Sequence, residues 1–334
     1  MQADAAVDSF MALRTAVSDG TFGPDLTSLK HFATWFREPD FSADYRELFD
    51  LELRLNGGVN VRSSYELLSA WRLARDPSYG LWAREQGVER CQLTLFGMRA
   101  TTDWFYRREG AFDDILLATD RLLECGIAPR WQLFLTNAIL PELQDLLELA
   151  NDLRLADRCD RIGNSFVMFM HDPTPVGEAR SLEKLRPVSA SLCMVPESLQ
   201  DATRKHMGMS QLYATEAEWI SKIQAEDDRP VAADVGPASW LYVDQDGNVY
   251  PNHVSLEPWW RVGNLRMDAP GASLQRYLTD GTPALRAQGA LGRRELCRLF
   301  GNPGGDKVYM SSADLLALYL ERHLESVWAR SNDA

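Results

Sequence analysis

Residues 88–137 read VERCQLTLFGMRATTDWFYRREGAFDDILLATDRLLECGIAPRWQLFLTN, and the order of local patterns in this stretch decides the fold class. Residues 91–96, CQLTLF, predict a strand that stops at the turn of Gly97. Ile115, Leu116, Ala118, Leu122 and Leu123 recur at helical spacing, so 113–123 is an amphipathic helix closed by Gly126. A second strand is expected over 130–135. Two strands joined through a helix must lie parallel, because a tight hairpin cannot connect them.

Working outward, Pro141 occupies the first turn of a helix that carries Leu143, Leu146, Leu147 and Ala150. Residues 165–170 then supply another buried parallel strand. On the N-terminal side, helices are expected over 5–17, 29–36 and 42–49, the last with Ser42 as its N-cap. Residues 51–55, LELRL, read as a strand entering Asn56-Gly57-Gly58, and helices follow over 63–74 and 79–86. Four prolines between His171 and Pro196 predict an irregular crossing segment, and the domain boundary is placed there. Beyond a helix at 215–226, Asp246-Gly247-Asn248 between apolar alternating runs predicts a β-hairpin. The chain ends in helices over 274–278, 283–300 and 313–328.

The chain has 334 residues and a net charge of -13. Such a field repels phosphate backbones and no Lys/Arg cluster reverses it locally, so nucleic acid is excluded as a partner. No basic segment followed by an apolar run opens the sequence, and no window reaches the roughly 18 to 20 apolar residues of a membrane span. A cytoplasmic protein with no membrane partner is expected. Cys91, Cys125, Cys159 and Cys193 recur every 34 residues, but their flanks (ERCQL, LECGI, DRCDR, SLCMV) share no pattern, so the spacing is no repeat. With Cys297 and five scattered histidines they form no metal-ligand spacing, and no metal site is assigned.

From residue 51 to 187 the pattern resembles the radical SAM superfamily, in its SPASM-type branch. CQLTLFG at 91–97 is similar to that branch's fourth barrel strand, which usually ends Ser-x-Asp-Gly; Thr94 keeps the hydroxyl and Phe96 replaces the acid. Asp103 followed by REGAF at 108–112 matches the family's spacing from an acid to Gly-x-Phe, and Tyr106 stands where an arginine contacting the SAM carboxylate is common. Arg107 and Arg108 are close enough to substitute. LFLTN at 133–137 resembles the fifth strand with its terminal Asn137, and FMHDPTPVGEA at 169–179 the sixth with its Gly-Glu-Ala. LYVDQDGNVYPNHVSLEPWWRVGNL at 241–265 is similar to the start of a SPASM domain, with Asn252 and the adjacent His253 where a cluster cysteine belongs. GTFGPDL at 20–26 resembles a worn Gly-Gly-Glu-Pro strand.

The family's CxxxCxxC loop has no counterpart, so the resemblance is to a degenerate or N-terminally truncated member. It implies an α/β fold: a partial parallel β/α (TIM-like) barrel over 1–190, and a small C-terminal α+β module over 191–334 with a β-hairpin and terminal helices. Candidate catalytic residues are His171, Asp103, Arg107 and Arg108; Thr94, Asn137 and Glu178 are the candidate cofactor-binding residues. SAM is the candidate cofactor, none being certain, and an iron–sulfur cluster, which needs converging thiolates, is not expected in this chain. The leading expectation is a cluster-less protein that binds a peptide, a natural-product precursor or other small molecule, or a partner modifying enzyme in the barrel mouth, as a pseudoenzyme or accessory protein. Against it stand an active radical SAM enzyme whose cluster segment lies upstream, a redox-neutral enzyme using polar residues of the barrel mouth, His253 among them, and a pure scaffold. Trp104-Phe105-Tyr106 and Trp259-Trp260 are candidate ligand-lining rings, packing in a core being the commoner role of such clusters.

Overall fold

The computed structural model describes residues 3–20, 45–61, 65–235, 241–252, 254–269 and 271–332. The chain divides into two compact units, one of residues 31–173 and 185–212, the other of 1–30, 174–184 and 213–334. The expected helix at 29–36, Ser42 and His253 lie outside the described residues. Helix α1 (Ala3–Ser18) ends at the Asp19-Gly20 turn and belongs to the second unit.

In the first unit, α2 (Tyr45–Leu55) corrects the expected strand at 51–55. The alternation of Leu51, Leu53 and Leu55 is outweighed by a helical stripe of Tyr45, Phe49, Glu52 and Leu55, all buried. Tyr45 meets Tyr79 and Trp82 edge-on at 4.9 Å each, and Phe49 meets Trp82 at 5.5 Å. The Asn56-Gly57-Gly58 segment therefore caps a helix: Gly57 has φ +67° and the Gly58 N–H donates to Leu53 O at 2.7 Å. The expected helix at 63–74 is likewise shorter, because β1 (Tyr65–Glu66) precedes α3 (Ala70–Arg75). Next come α4 (Pro77–Glu85), β2 (Arg90–Leu95), α5 (Arg99–Tyr106), α6 (Ala111–Glu124), β3 (Ala128–Phe134), α7 (Leu143–Asp152), α8 (Leu155–Arg161), β4 (Val167–His171) and α9 (Glu197–Met207).

The four strands form one parallel sheet in the order β1-β2-β3-β4. Period two divides its faces. Cys91, Leu93, Leu95, Trp131, Leu133, Met168 and Met170 share one face and are buried. Ile115, Ala118 and Leu122 of α6 are buried as well, and the Trp131 indole donates to Thr119 Oγ1 of α6 at 3.1 Å. The other face carries Gln92, Thr94, Arg130, Gln132, Phe134, Phe169 and His171, aligned by the pairs Gln92↔Arg130, Thr94↔Gln132, Gln132↔Phe169 and Phe134↔His171. Among the described residues the sheet stops at β4, where the Met170 N–H donates to Thr203 Oγ1 of α9 at 3.1 Å.

The second unit adds β5 (Ala214–Thr215), α10 (Glu216–Ala225), α11 (Ala232–Val235), β6 (Tyr242–Val243), β7 (Asn248–Tyr250), β8 (Gly263–Asn264), α12 (Ala272–Leu278), α13 (Pro283–Ala290), α14 (Arg293–Phe300), β9 (Val308–Tyr309) and α15 (Ser312–Asn332). The predicted hairpin is present: β6 and β7 pair antiparallel and β8 extends them. Asp244 Oδ1 accepts from the N–H groups of Asp246 and Asn248, and Gly247 takes φ +84°. Residues 283–300 form two helices rather than one, broken at Leu291-Gly292. The core of this unit gathers Ile220, Val249, Trp259, Trp260, Leu296, Leu316 and Tyr319. No helix among the described residues is long and apolar enough to cross a membrane.

Candidate functional site

In open parallel sheets ligands bind at the carboxyl ends of the strands. Here that edge is aromatic. Phe105 of α5 stacks on Phe96 at 4.6 Å, Phe96 stacks on Phe134 at 5.3 Å, and Phe134 meets the His171 ring edge-on at 6.0 Å. Register creates the row, since Leu95 pairs with Leu133 and Phe134 with His171, which sets 96, 134 and 171 side by side. Trp104 continues it, edge-on to Phe105 at 4.8 Å and 62% exposed. His171 Nδ1 lies 2.5 Å from Asp172 O, which fixes the ring against its own backbone.

The other residues singled out in sequence serve the frame around this row. Asp103 accepts from the Gly110 and Phe112 N–H groups at 2.9 Å each and so caps α6. Burial pushes its carboxyl up, and hydrogen bonds from Phe112, Gly110 and Ala111 outweigh that and hold it below the ordinary carboxylate value. Arg108 binds Asp114 Oδ2 at 2.5 Å, with Arg75 on the same oxygen at 2.9 Å. Arg107 is the exposed, left-handed C-cap of α5, at φ +51°. Thr94 is half-buried and its carbonyl accepts from Tyr106 Oη at 3.1 Å. Asn137 is exposed, with its N–H on Leu185 O at 2.8 Å and its Nδ2 on Arg186 O at 3.3 Å. Glu178 is exposed in the second unit, where its carbonyl accepts from Ser181. The structure thus gathers His171, Thr94 and the Asp103–Arg108 segment around one sheet edge in the first unit.

Gly97, the last residue of the TLFG stretch, has a steric reason to be glycine. It takes φ +152°, and a Cβ there would collide with the Glu142 carboxylate, which accepts from the Met98 N–H at 2.6 Å and from Thr101 Oγ1 at 2.7 Å. Gly177 has the same kind of reason: at φ +61°, its Cβ would strike the Val254 carbonyl.

Two groups on this unit escaped the sequence reading. The first is a buried ion pair just past β4, in which Arg186 Nη1 meets Asp172 Oδ2 at 2.7 Å and Arg186 Nη2 donates to Pro173 O at 2.9 Å. The second is a polar cluster on the sheet face that carries Phe134 and His171. Arg130 Nη2 donates to Gln92 Oε1 at 3.0 Å, Arg130 Nη1 lies 3.3 Å from His206 Nε2, and Gln92 donates to Gln132. Polar residues at 92, 94, 130 and 132, alternating with apolar ones, were the available signal for this face.

The thiols do not fit a four-iron cluster. Cys91 lies on β2, Cys125 at the end of α6, Cys159 on α8, Cys193 in an exposed turn and Cys297 in the second unit. Burial raises the Cys125 thiol and pushes Cys159 and Cys297 to about 11, away from the thiolate that cluster ligation needs. Among the described residues no three His, Cys, Asp or Glu side chains are placed to hold a metal ion.

One pH response follows from this geometry. Burial, then Arg130, then Arg90 hold the His206 imidazole below its ordinary pKa, and burial lowers His323 also. As pH falls below about 6.5 the unfolded chain takes up these protons first, so stability is complete above that value and declines beneath it. Urea midpoints are expected to be lower at pH 5.5 than at pH 7.5, and His206→Gln is expected to lose less over that interval. An equal loss in both proteins would show that His206 does not contribute.

No protein-family model matches the chain, and no curated protein matches it in sequence. Among solved structures, native anSMEcpe with bound AdoMet and Kp18Cys peptide superposes with a TM-score of 0.51 at 12% identity, covering 98% of this chain and 91% of that one. Native anSMEcpe with bound AdoMet gives 0.51 at 12% identity, covering 97% and 89%. Native anSMEcpe with bound AdoMet and Cp18Cys peptide gives 0.51 at 13%, covering 96% and 90%. At these identities the likeness is one of fold, a mixed α/β chain with a parallel sheet and many helices.

Proposed function

We propose that this chain binds a peptide across the aromatic row at the carboxyl edge of its sheet and does so without an iron–sulfur cluster of its own, in an accessory or pseudoenzyme role. The observation that carries this reading is the continuous run of rings from Phe105 through Phe96 and Phe134 to His171. Rings at such an edge offer large, rigid contact area to apolar side chains. The likeness to anSMEcpe, solved with a peptide bound, supports the same ligand class. In this reading His171 faces the peptide, Asp103 and Arg108 hold the α5–α6 turn that presents Phe105, and Arg107 supplies an exposed cation beside it. Thr94 and Asn137, both of the first unit, are retained as AdoMet-contacting candidates, and the division of the chain near residue 190 belongs to the same proposal.

A second reading, an active radical SAM enzyme acting on a peptide, is favoured by the extent of the likeness to AdoMet-bound structures. One experiment separates the two. After anaerobic incubation with iron and sulfide, iron per chain and AdoMet binding are measured on the same sample. Then Ac-Phe-Ala-Ala-Ala-Glu-NH2 is titrated while tryptophan fluorescence is followed. The expected result is no stoichiometric iron, saturable quenching, and at least about tenfold weaker binding in Phe134→Ala. About four irons per chain with AdoMet bound would establish the second reading. Peptide affinity unchanged in Phe134→Ala would remove the aromatic row as the site.

A further inference from the structure

The aromatic row ends on a hydrogen-bonding atom that the fold leaves unused. His171 is the last residue of β4 and is half-buried. Its carbonyl accepts from the Leu135 N–H at 2.9 Å, which ties it to the end of β3. Its ring is held as well, edge-on to Phe134 at 6.0 Å and with Nδ1 2.5 Å from Asp172 O. A carbonyl oxygen can only accept, so Nδ1 carries a proton and donates it. The neutral imidazole then keeps its lone pair on Nε2, because the partner of one ring nitrogen sets the state of the other. Among the described residues Nε2 has no hydrogen-bond partner. The neighbouring Asp172 carboxylate does not compete for the ring, since it is committed to Arg186 Nη1 at 2.7 Å.

An acceptor at the end of a row of rings selects one kind of side chain. Phe105, Phe96 and Phe134 offer apolar faces and no acceptor, so a ligand held by them alone is ranked by the area it covers. Nε2 adds a single directional demand for a donor. A phenol meets both demands along one axis, its ring covering Phe134 and its hydroxyl reaching the imidazole. The distance from a phenol's ring centre to its oxygen is shorter than the 6.0 Å between the Phe134 and His171 rings. A serine hydroxyl would leave the rings uncovered, and an indole carries its N–H on the flank of a wider ring.

We propose that His171, held with its proton on Nδ1, accepts at Nε2 a hydrogen bond from a tyrosine hydroxyl of the bound peptide, so that the row selects tyrosine over phenylalanine. This deepens the peptide-binding reading and rests on it. His171 sets specificity, and no covalent bond is made or broken at it.

The test compares Ac-Phe-Ala-Ala-Ala-Glu-NH2 with its Tyr counterpart by calorimetry, on the wild-type chain and on His171→Phe. The Tyr peptide is expected to bind wild type about fivefold more tightly than the Phe peptide, the effect of one neutral hydrogen bond, and the two are expected to bind His171→Phe within about twofold. Equal binding of both peptides to wild type, or a Tyr preference that survives in the variant, overturns the proposal. If His171→Phe loses its circular dichroism signal, His171→Asn replaces it, with the same loss of preference expected, because an Asn amide N–H can still meet Asp172 O and has no counterpart of Nε2. A second probe keeps the two readings apart. In protein carrying isotope-labelled histidine, the His171 ring nitrogens are assigned from the variant's spectrum, and p-cresol is titrated. A saturable shift of Nε2 is expected, which the methyl ether of p-cresol, lacking the hydroxyl proton, does not cause. That shift with neither peptide bound would retain the phenol site and remove the peptide-binding row. Equal binding of both peptides with Nε2 unmoved by p-cresol would do the reverse, and a free protein with its His171 proton on Nε2 alone overturns the proposal.

Discussion

Asp172→Ala is expected to destabilise the first unit by about 3–5 kcal/mol, because it removes the carboxylate that the buried Arg186 guanidinium meets at 2.7 Å. The pair is nearly sealed, with side-chain exposures of 3% for Asp172 and 2% for Arg186. Its effect reaches beyond two residues, since Arg186 also holds the Pro173 carbonyl while its own carbonyl accepts from Asn137. The carboxyl ends of β3 and β4 are thus tied to one segment, and the row that includes Phe134 and His171 depends on both ends staying in register. Replacing the pair together, Asp172→Leu with Arg186→Met, removes both charges and is expected to recover most of the loss. Urea unfolding of the three proteins measures this. A single variant within about 1 kcal/mol of wild type would mean that water reaches the guanidinium and that the pair is not sealed in solution.

The second large effect is expected in the other unit. Glu321 is 4% exposed, and its carboxylate accepts from two indoles, Trp259 Nε1 at 3.1 Å and Trp260 Nε1 at 2.6 Å. Glu321→Leu strands both buried donors, each at about 1–3 kcal/mol, so a loss of about 2–6 kcal/mol is expected. Glu321→Gln keeps one acceptor oxygen and turns an amide N–H toward the other indole, so an intermediate loss is expected. Unfolding followed by tryptophan fluorescence reports directly on these rings. Leu at 321 with wild-type stability would show that the indoles find other acceptors. The Trp259-Trp260 pair accordingly belongs to the core of its unit, whereas Trp104, in a similar sequence cluster, stands exposed beside the sheet edge.

The contrast between those two clusters shows what a linear reading can and cannot reach. The strands at 90–95 and 128–134 and helix α6 between them were legible, because hydrophobic period and glycine punctuation agree there, whereas α5 was not read. LELRL misled because five residues satisfy period two and period 3.6 almost equally; the rings of Tyr79 and Trp82, far along the chain, settle the matter. At the candidate site, motif position said nothing of the hydrogen bonds its residues make. The hydrogen bonds of Asp103 and Arg108 hold α6 and its first turn. Asp172 and Arg186 could not be paired from sequence, since nothing local tells which arginine a 14-residue loop brings back to which acid. Arg130, Gln92 and Gln132 were legible in principle, as polar residues spaced by two within otherwise apolar strands.

The contact between Thr203 and the Met170 amide bears on how a peptide would be read under the proposed function. A sheet edge usually recruits peptides by strand addition, in which main-chain hydrogen bonds supply affinity whatever the sequence. At the β4 edge that amide is already committed to α9, so an incoming chain would have to displace a helix to be zipped on there. A peptide laid over the face instead, as proposed, would be recognised through its side chains, and selectivity would then follow the spacing of its residues rather than its readiness to become a strand.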